Sequence, residues 1–255
     1  MKTIDTHAHL DHLPNLDQSL EDAYQAGVEG IVCVSMDLKS CQRNLEIKKK
    51  TSNPKIYLAM GMHPSEANLT DLNNVLQMIK DNASELTAVG EIGLDFWYKW
   101  VKKDESKKNE QRDVFRRQLE LADTLKLPAI IHSRGAWAEC LKTVKDVGLK
   151  RCVFHWYSGP VDVLDEIMAA GYYVSTTPSL AYSPQSREAI GHADMRHVLI
   201  ETDCPVYYRI SENEGFQSQP KDVVKTLQAY CALMNMNQEE AVLVLNQNAR
   251  DCFGL

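Results

Sequence analysis

Eight short apolar runs, each followed by a helical pattern, limit what this 255-residue chain can fold into. The runs are Ile4–His7, Gly30–Ser35, Ile56–Met60, Thr87–Glu91, Pro128–His132, Arg151–His155, Tyr172–Ser175 and His197–Glu201. Between them, helices are expected over Leu16–Gly27, Leu38–Lys50, Thr70–Asn82, about Asn109–Leu125, a segment ending at Val147, Pro160–Gly171 and Pro184–Gly191. Two further helices, Pro220–Met234 and Gln238–Cys252, finish the chain, and Asn237 with Glu240 forms a capping pattern for the last. Strands that alternate with helices pair in parallel. Eight of them within about 250 residues close a TIM (β/α)8 barrel, here with an extra C-terminal helix and one domain over residues 1–255. An open doubly wound sheet is the alternative. It is weakened by the lack of GxGxxG and GxxxxGK[ST], the glycine-rich turns that cradle phosphates.

The barrel makes a sharp demand on function. Catalytic groups belong at the C-terminal ends of strands, because those ends share one face. His7 and His9 stand at the end of the first run, two positions apart, so on an extended strand they point the same way. Glu91 ends the fourth run, His132 the fifth and His155 the sixth, and the eighth leads into Glu201-Thr202-Asp203. Each has a plainer reading alone: a strand-end histidine is often a hydrogen-bonded structural residue, and Asp203 before Cys204-Pro205 suits a turn. Together, four histidines and two carboxylates at one barrel mouth read as a metal centre. Imidazole and carboxylate suit zinc, manganese or related divalent ions, and the set suffices for two ions if one carboxylate bridges.

Composition narrows the rest. The net charge of −7 argues against a broadly basic nucleic-acid surface but not against a local phosphodiester site, where bound metal changes the sign of the field. Seven widely spaced cysteines without a CxxC argue against disulfides or a cysteine-bound zinc. No stretch approaches 18 consecutive apolar residues, and no signal segment opens the chain, so no membrane span and a cytoplasmic location are expected. Oligomeric state is not legible.

Six stretches carry a resemblance to a known family: Ile4–Asp11 (IDTHAHLD), Gly61–Pro64 (GMHP), Gly90–Asp95 (GEIGLD), Ile131–Arg134 (IHSR), His155–Gly159 (HWYSG) and Ile200–Pro205 (IETDCP). With Asn248-Ala-Arg250 and Phe253-Gly254 they span the chain in order, and it resembles a TatD-type hydrolase of the amidohydrolase superfamily. The resemblance implies a dinuclear TIM barrel. His7, His9, Glu91 and Asp203 would hold one ion, and Glu91, His132 and His155 a second, with Glu91 bridging. The ions would be zinc, magnesium or manganese. It also implies a metal-dependent deoxyribonuclease, often a 3′-to-5′ exonuclease on single strands; D-aminoacyl-tRNA deacylation or small-molecule amide hydrolysis is the alternative, and a non-catalytic binding barrel a third. Many relatives carry Arg-Asn-Glu-Pro where this chain reads Gly215-Phe-Gln-Ser-Gln-Pro220, and Trp156 stands where smaller residues are common.

Roles follow on that footing. Asp203 would accept a proton from the attacking water while binding metal, with Glu91 as the other catalytic carboxylate. His63 and Arg134 would bind phosphate, or be a turn histidine and a surface ion-pair partner. Asp95 would orient a ligand from behind. The segment Asp95–Lys108 reads as a loop in which Phe96, Trp97, Tyr98 and Trp100 alternate with lysines, so Trp97 and its neighbours would stack bases and the lysines attract phosphates. The alternative is a solvated loop whose aromatics cover the barrel mouth.

Overall fold

A computed structural model describes residues 2–255. In chain order the elements are β1 (Thr3–Ala8), α1 (Leu16–Gln25), β2 (Val28–Cys33), α2 (Leu38–Lys50), β3 (Lys55–Met60), α3 (Leu69–Asp81), β4 (Leu86–Gly93) and α4 (Glu105–Leu125). Next come β5 (Ala129–His132), α5 (Trp137–Val147), β6 (Cys152–Phe154), α6 (Val161–Ala169), β7 (Tyr173–Thr176), α7 (Pro184–His192) and β8 (Val198–Ile200). A hairpin, β9 (Tyr207–Arg209) with β10 (Gly215–Gln217), precedes α8 (Val223–Met234) and α9 (Gln238–Phe253).

β1 to β8 pair in sequence order, every neighbour parallel. The ring closes where the Asp203 N–H donates to the His7 carbonyl (2.9 Å) and the His9 N–H to the Cys204 carbonyl (2.8 Å). This is the expected (β/α)8 barrel. Ile4, Val32, Ala59, Ala88, Ile130 and Leu199 form one apolar cluster with Ala249, Cys252 and Phe253 of α9. The C-terminal helix therefore packs against the early ends of the strands, away from the face that carries the histidines.

Two irregularities in the ladder matter. Register shifts fall between Asp5 and Ala8 of β1 and between Val89 and Ile92 of β4. Those intervals hold His7 and Glu91. A local break in pairing re-aims a side chain that strict alternation would send elsewhere.

Two expectations need correction, and one element was not foreseen. The fourth helix starts at Glu105, not Asn109, because the Asp104 carboxylate accepts from the Ser106 and Lys107 N–H groups and caps it. Lys107 and Lys108 thus lie on a helix, paired with Glu110 and Glu105. The β9–β10 hairpin had no signal: its strands are three residues each, and their alternation is too short to read. The Pro220 end of the penultimate helix is a separate 3-10 turn, Pro220–Asp222, capped by reciprocal Gln219–Asp222 bonds.

Candidate metal centre

Each predicted ligand stands at the mouth of the barrel. His7 lies in β1, while His9 sits one residue past its end, yet their Nε2 atoms approach to 3.4 Å. Glu91 of β4 extends between two groups of side chains. Its Oε2 is 3.3 Å from His7 Nε2 and 3.4 Å from His9 Nε2. Asp203 Oδ1 completes this group at 3.4 and 3.3 Å from the same nitrogens. The other oxygen, Oε1, is 2.8 Å from His132 Nδ1 and 2.7 Å from His155 Nε2, and those nitrogens are 3.2 Å apart. Glu91 thus faces both pairs of histidines, Oε2 toward His7 and His9 and Oε1 toward His132 and His155.

A divalent cation fits the first set. Donors spaced 3.3–3.4 Å apart around a common centre leave about 2 Å from the centre to each, the distance of a zinc–imidazole or zinc–carboxylate bond. Two imidazoles with two carboxylates also match that ion's chemistry. His63 adds a donor that the ligand reading omitted. Its Nε2 lies 3.3 Å from His132 Nδ1 and 3.6 Å from Glu91 Oε1, so it borders the second set.

Behind the donors stands a row of carboxylates. Asp95, fully buried, takes His132 Nε2 at 2.9 Å and Arg134 Nε at 2.8 Å on one oxygen and accepts the Trp97 N–H on the other. The expected orienting role for Asp95 has this geometry. Glu201 does the same for His155: its Oε1 lies 3.3 Å from Nδ1 and accepts the Trp156 N–H (2.9 Å), while Oε2 accepts the Ser175 hydroxyl (2.6 Å). With His7 and His155 it forms a further group of buried donors that could hold a cation. Asp5 accepts the Thr202 N–H and hydroxyl, tying β1 to the segment that carries Asp203.

The protons of this cluster are strongly biased. Burial raises the Glu91 carboxyl, but the charge of His155 and a hydrogen bond to His132 help outweigh it, and Glu91 is held well below the usual carboxylate range. Burial likewise lowers His9, and hydrogen bonds to Asp203 and Glu91 reverse that and lift it to about 10. Against burial, Asp95 and Glu91 raise His132, and Glu91 and Glu201 raise His155 well above the ordinary imidazole value. His63 goes the other way: burial pushes it down to about 3 despite Glu91, so it is a neutral imidazole.

A cleft of about 790 Å³ opens over the cluster and reaches Glu91, Asp203, His9, His63, His132 and His155. Its rim is aromatic. Trp97 meets Trp137 edge to face at 5.6 Å, and Trp156 donates its indole N–H to Ser179. Gly135 permits this wall: it has φ +73°, and a Cβ there would lie 2.4 Å from the Trp97 ring. The predicted contact residues His63, Arg134 and Trp97 all line the cleft. Arg134 stands half-exposed over the Tyr98 ring at 5.0 Å.

Phe96, Trp100, Lys99, Lys102, Lys103, Lys107 and Lys108 are absent from the cleft wall, so the loop delivers Trp97 and Tyr98 to the site but none of its lysines. Gln217 and Gln219 also lie outside it; Gln217 pairs with Tyr207 in the hairpin and Gln219 caps the 3-10 turn. This segment therefore shapes a loop and not the cleft wall. Sequence reasoning missed Gln111 and Gln118 of α4, both buried. Gln118 bonds both the N–H and the carbonyl of Met62, and Gln111 bridges the Pro64 carbonyl and the Asp95 N–H. They fix the loops that carry His63 and Asp95. The available signal was two amides seven residues apart on the face that also presents Val114 and Phe115.

Comparisons agree with the geometry. The family model described as TatD related DNase matches residues 4–254. A protein named an uncharacterized metal-dependent hydrolase from Methanocaldococcus jannaschii is 31% identical, over 97% of this chain and 95% of its own. The human deoxyribonuclease TATDN3 is 28% identical, over 98% and 94%. Among solved structures, the TatD homolog YjjV of Escherichia coli superposes with a TM-score of 0.88 at 26% identity, covering 99% of this chain and 98% of that one.

Proposed function

The chain belongs to the TatD-related DNase family of metal-dependent hydrolases, and from that premise we propose that it is a phosphodiesterase acting on DNA, removing nucleotides from a 3′ end with two divalent cations. One observation carries the reading: the two oxygens of Glu91 face two separate donor sets, Oε2 toward His7 and His9 and Oε1 toward His132 and His155. His7, His9, Glu91 and Asp203 would hold one cation; Glu91, His132 and His155 would hold the other. Bound there, zinc, magnesium or manganese supplies Lewis acidity and a water nucleophile active at neutral pH.

The chain's own groups do the rest. Asp203 is the ligand carboxylate at the cleft wall nearest the open side, 8% exposed against 2% for Glu91. It is held below the ordinary carboxylate range, against burial, by its bond to His9 and by His7 and His155, and so is ionised and able to accept a proton from the attacking water. Arg134 has its Nε committed to Asp95, which leaves the end of the guanidinium for a phosphate oxygen. Neutral His63 can donate a hydrogen bond to the departing oxygen through the same nitrogen that borders the second donor set.

The test is direct. Metal-loaded protein incubated with 3′-labelled single-stranded DNA should release mononucleotides, and Glu91→Ala should release none. Equal cleavage by the two proteins would end the proposal. A metal screen on the wild type then identifies the ion that supports turnover.

A further inference from the structure

The cleft has an unusual balance for a nucleic-acid site. Among the described residues, Arg134 is the one Lys or Arg side chain on its wall. The nearby lysines are spent or placed elsewhere: Lys107 pairs with Glu110, Lys108 with Glu105, and Lys99, Lys102 and Lys103 are exposed away from the cleft lining. Against that single permanent cation stand Trp97, Tyr98, Trp137, Trp156 and Tyr182. The remaining wall is largely neutral and polar, with serine hydroxyls at Ser133, Ser158 and Ser183. At about 790 Å³ the cleft is in the range, roughly 300–1,000 Å³, that encloses one small ligand.

A protein that follows a nucleic-acid strand places a cation at each phosphate it passes. This cleft offers one beyond the metal centre. We infer that it takes a short terminal piece of a strand, gripped by the scissile phosphate at the metal centre, one further phosphate at Arg134 and base stacking on the Trp97–Trp137 wall. A trinucleotide, or a dinucleotide that carries a terminal phosphate, is thus a full substrate, and a longer strand extends into solvent without further recognition. The inference rests on the phosphodiesterase reading above and adds the size of the substrate to it.

Salt dependence and strand length test this together. For single strands each neutralised phosphate contributes a slope of about −0.7 to log K against log salt. Removing Arg134 as Arg134→Ala should make the slope shallower by about 0.7, while Lys99→Ala/Lys102→Ala/Lys103→Ala should leave it unchanged. If those lysines did hold the strand, the triple variant would lose about 2.1 from the slope. The kcat/KM for a trinucleotide should lie within about tenfold of that for a strand of about 20 nucleotides, since each further phosphate contact would otherwise multiply affinity. Trp97→Ala, on an exposed side chain, should raise KM about 5- to 150-fold for both lengths, the range of one lost base stack.

A slope that falls in the lysine variant overturns the inference and assigns the strand to the Lys99–Lys103 surface, and a preference of more than about tenfold for the long strand overturns it as well. The same strands are titrated against metal-free protein by tryptophan fluorescence. Binding of the trinucleotide without cleavage by the loaded protein would reject the hydrolytic reading and keep the size assignment. Neither binding nor cleavage would reject both.

Discussion

Asp203 and His7 are joined twice. The backbone N–H of Asp203 donates to the His7 carbonyl at 2.9 Å, and its side-chain Oδ1 lies 3.4 Å from His7 Nε2. The first contact closes the barrel between β1 and β8; the second belongs to the proposed metal centre. A cation bound here would staple the seam. Metal loading at about one hundred times the dissociation constant adds about 2.7 kcal/mol. At about 2–4 °C per kcal/mol for a chain of this size, the melting temperature should rise by about 5–11 °C. Differential scanning calorimetry with and without a chelator measures it, and an unchanged melting temperature would count against a metal that bridges the two strands.

Glu91 makes the two donor sets interdependent. Because its oxygens face different groups, Glu91→Ala should lower the metal content from two ions to fewer than one per chain, rather than from two to one. Turnover should fall on the order of 10³-fold or more, the scale for losing a group that acts on transition-state charge. Glu91→Asp is the informative partner: one methylene shorter, it reaches one set only and should retain a single ion. Metal analysis after gel filtration reads both, and a Glu91→Ala protein that keeps two ions would rule out the shared carboxylate.

Much of this arrangement was legible because barrel topology converts sequence position into place. A residue at the end of an apolar run must lie at the mouth, so sequence position alone gathers His7, His9, Glu91, His132 and His155. What the runs do not carry is direction within the mouth. Glu201 and Asp203 leave the same strand two positions apart, yet one stands behind His155 and the other among the first donor set. The difference lies in the backbone: Asp203 has φ +49°, a left-handed turn that a strand pattern does not encode. The lysines after Trp100 failed for a related reason. Alternation of residue types in a loop says nothing about which side faces the cleft, and the Asp104 cap turns the last of them into a helix.

Acidity should work against metal and favour the metal-free form. In the unfolded chain a histidine titrates near 6.5, while His9 in the folded metal-free protein is lifted to about 10 and His132 and His155 are raised as well. A raised folded value gives stability that is complete below about 6.5 and is lost as pH climbs through the folded value. Metal must also displace those protons, so its apparent affinity rises over the same interval. The gap between loaded and metal-free protein follows that apparent affinity, so the difference in melting temperature should widen from pH 6 to pH 9. Calorimetric titration of the metal in buffers of different ionisation enthalpy should show net proton release at pH 7. A gap that narrows, or binding without proton release, would contradict the assignment of His9 as a ligand.

Asp95 should be felt at two places at once. One of its oxygens serves both His132 Nε2 and Arg134 Nε, while the other holds the Trp97 N–H. In Asp95→Asn the side-chain oxygen can face only one of these sides, and the amide N–H₂ confronts donors on the other. The loss of a carboxylate behind a metal-bound imidazole typically costs about 10–100-fold in metal affinity or activity. The prediction is that range at the second site, with the first site's affinity unchanged, and a rise in KM as Arg134 loses its anchor. Glu201→Gln is the control with a different address: it acts on His155 and leaves Arg134 in place, so it should weaken the same metal without the change in KM. Two-site metal titrations and the split between kcat and KM separate the variants, and an Asp95→Asn protein with unaltered metal affinity would reduce Asp95 to a loop cap.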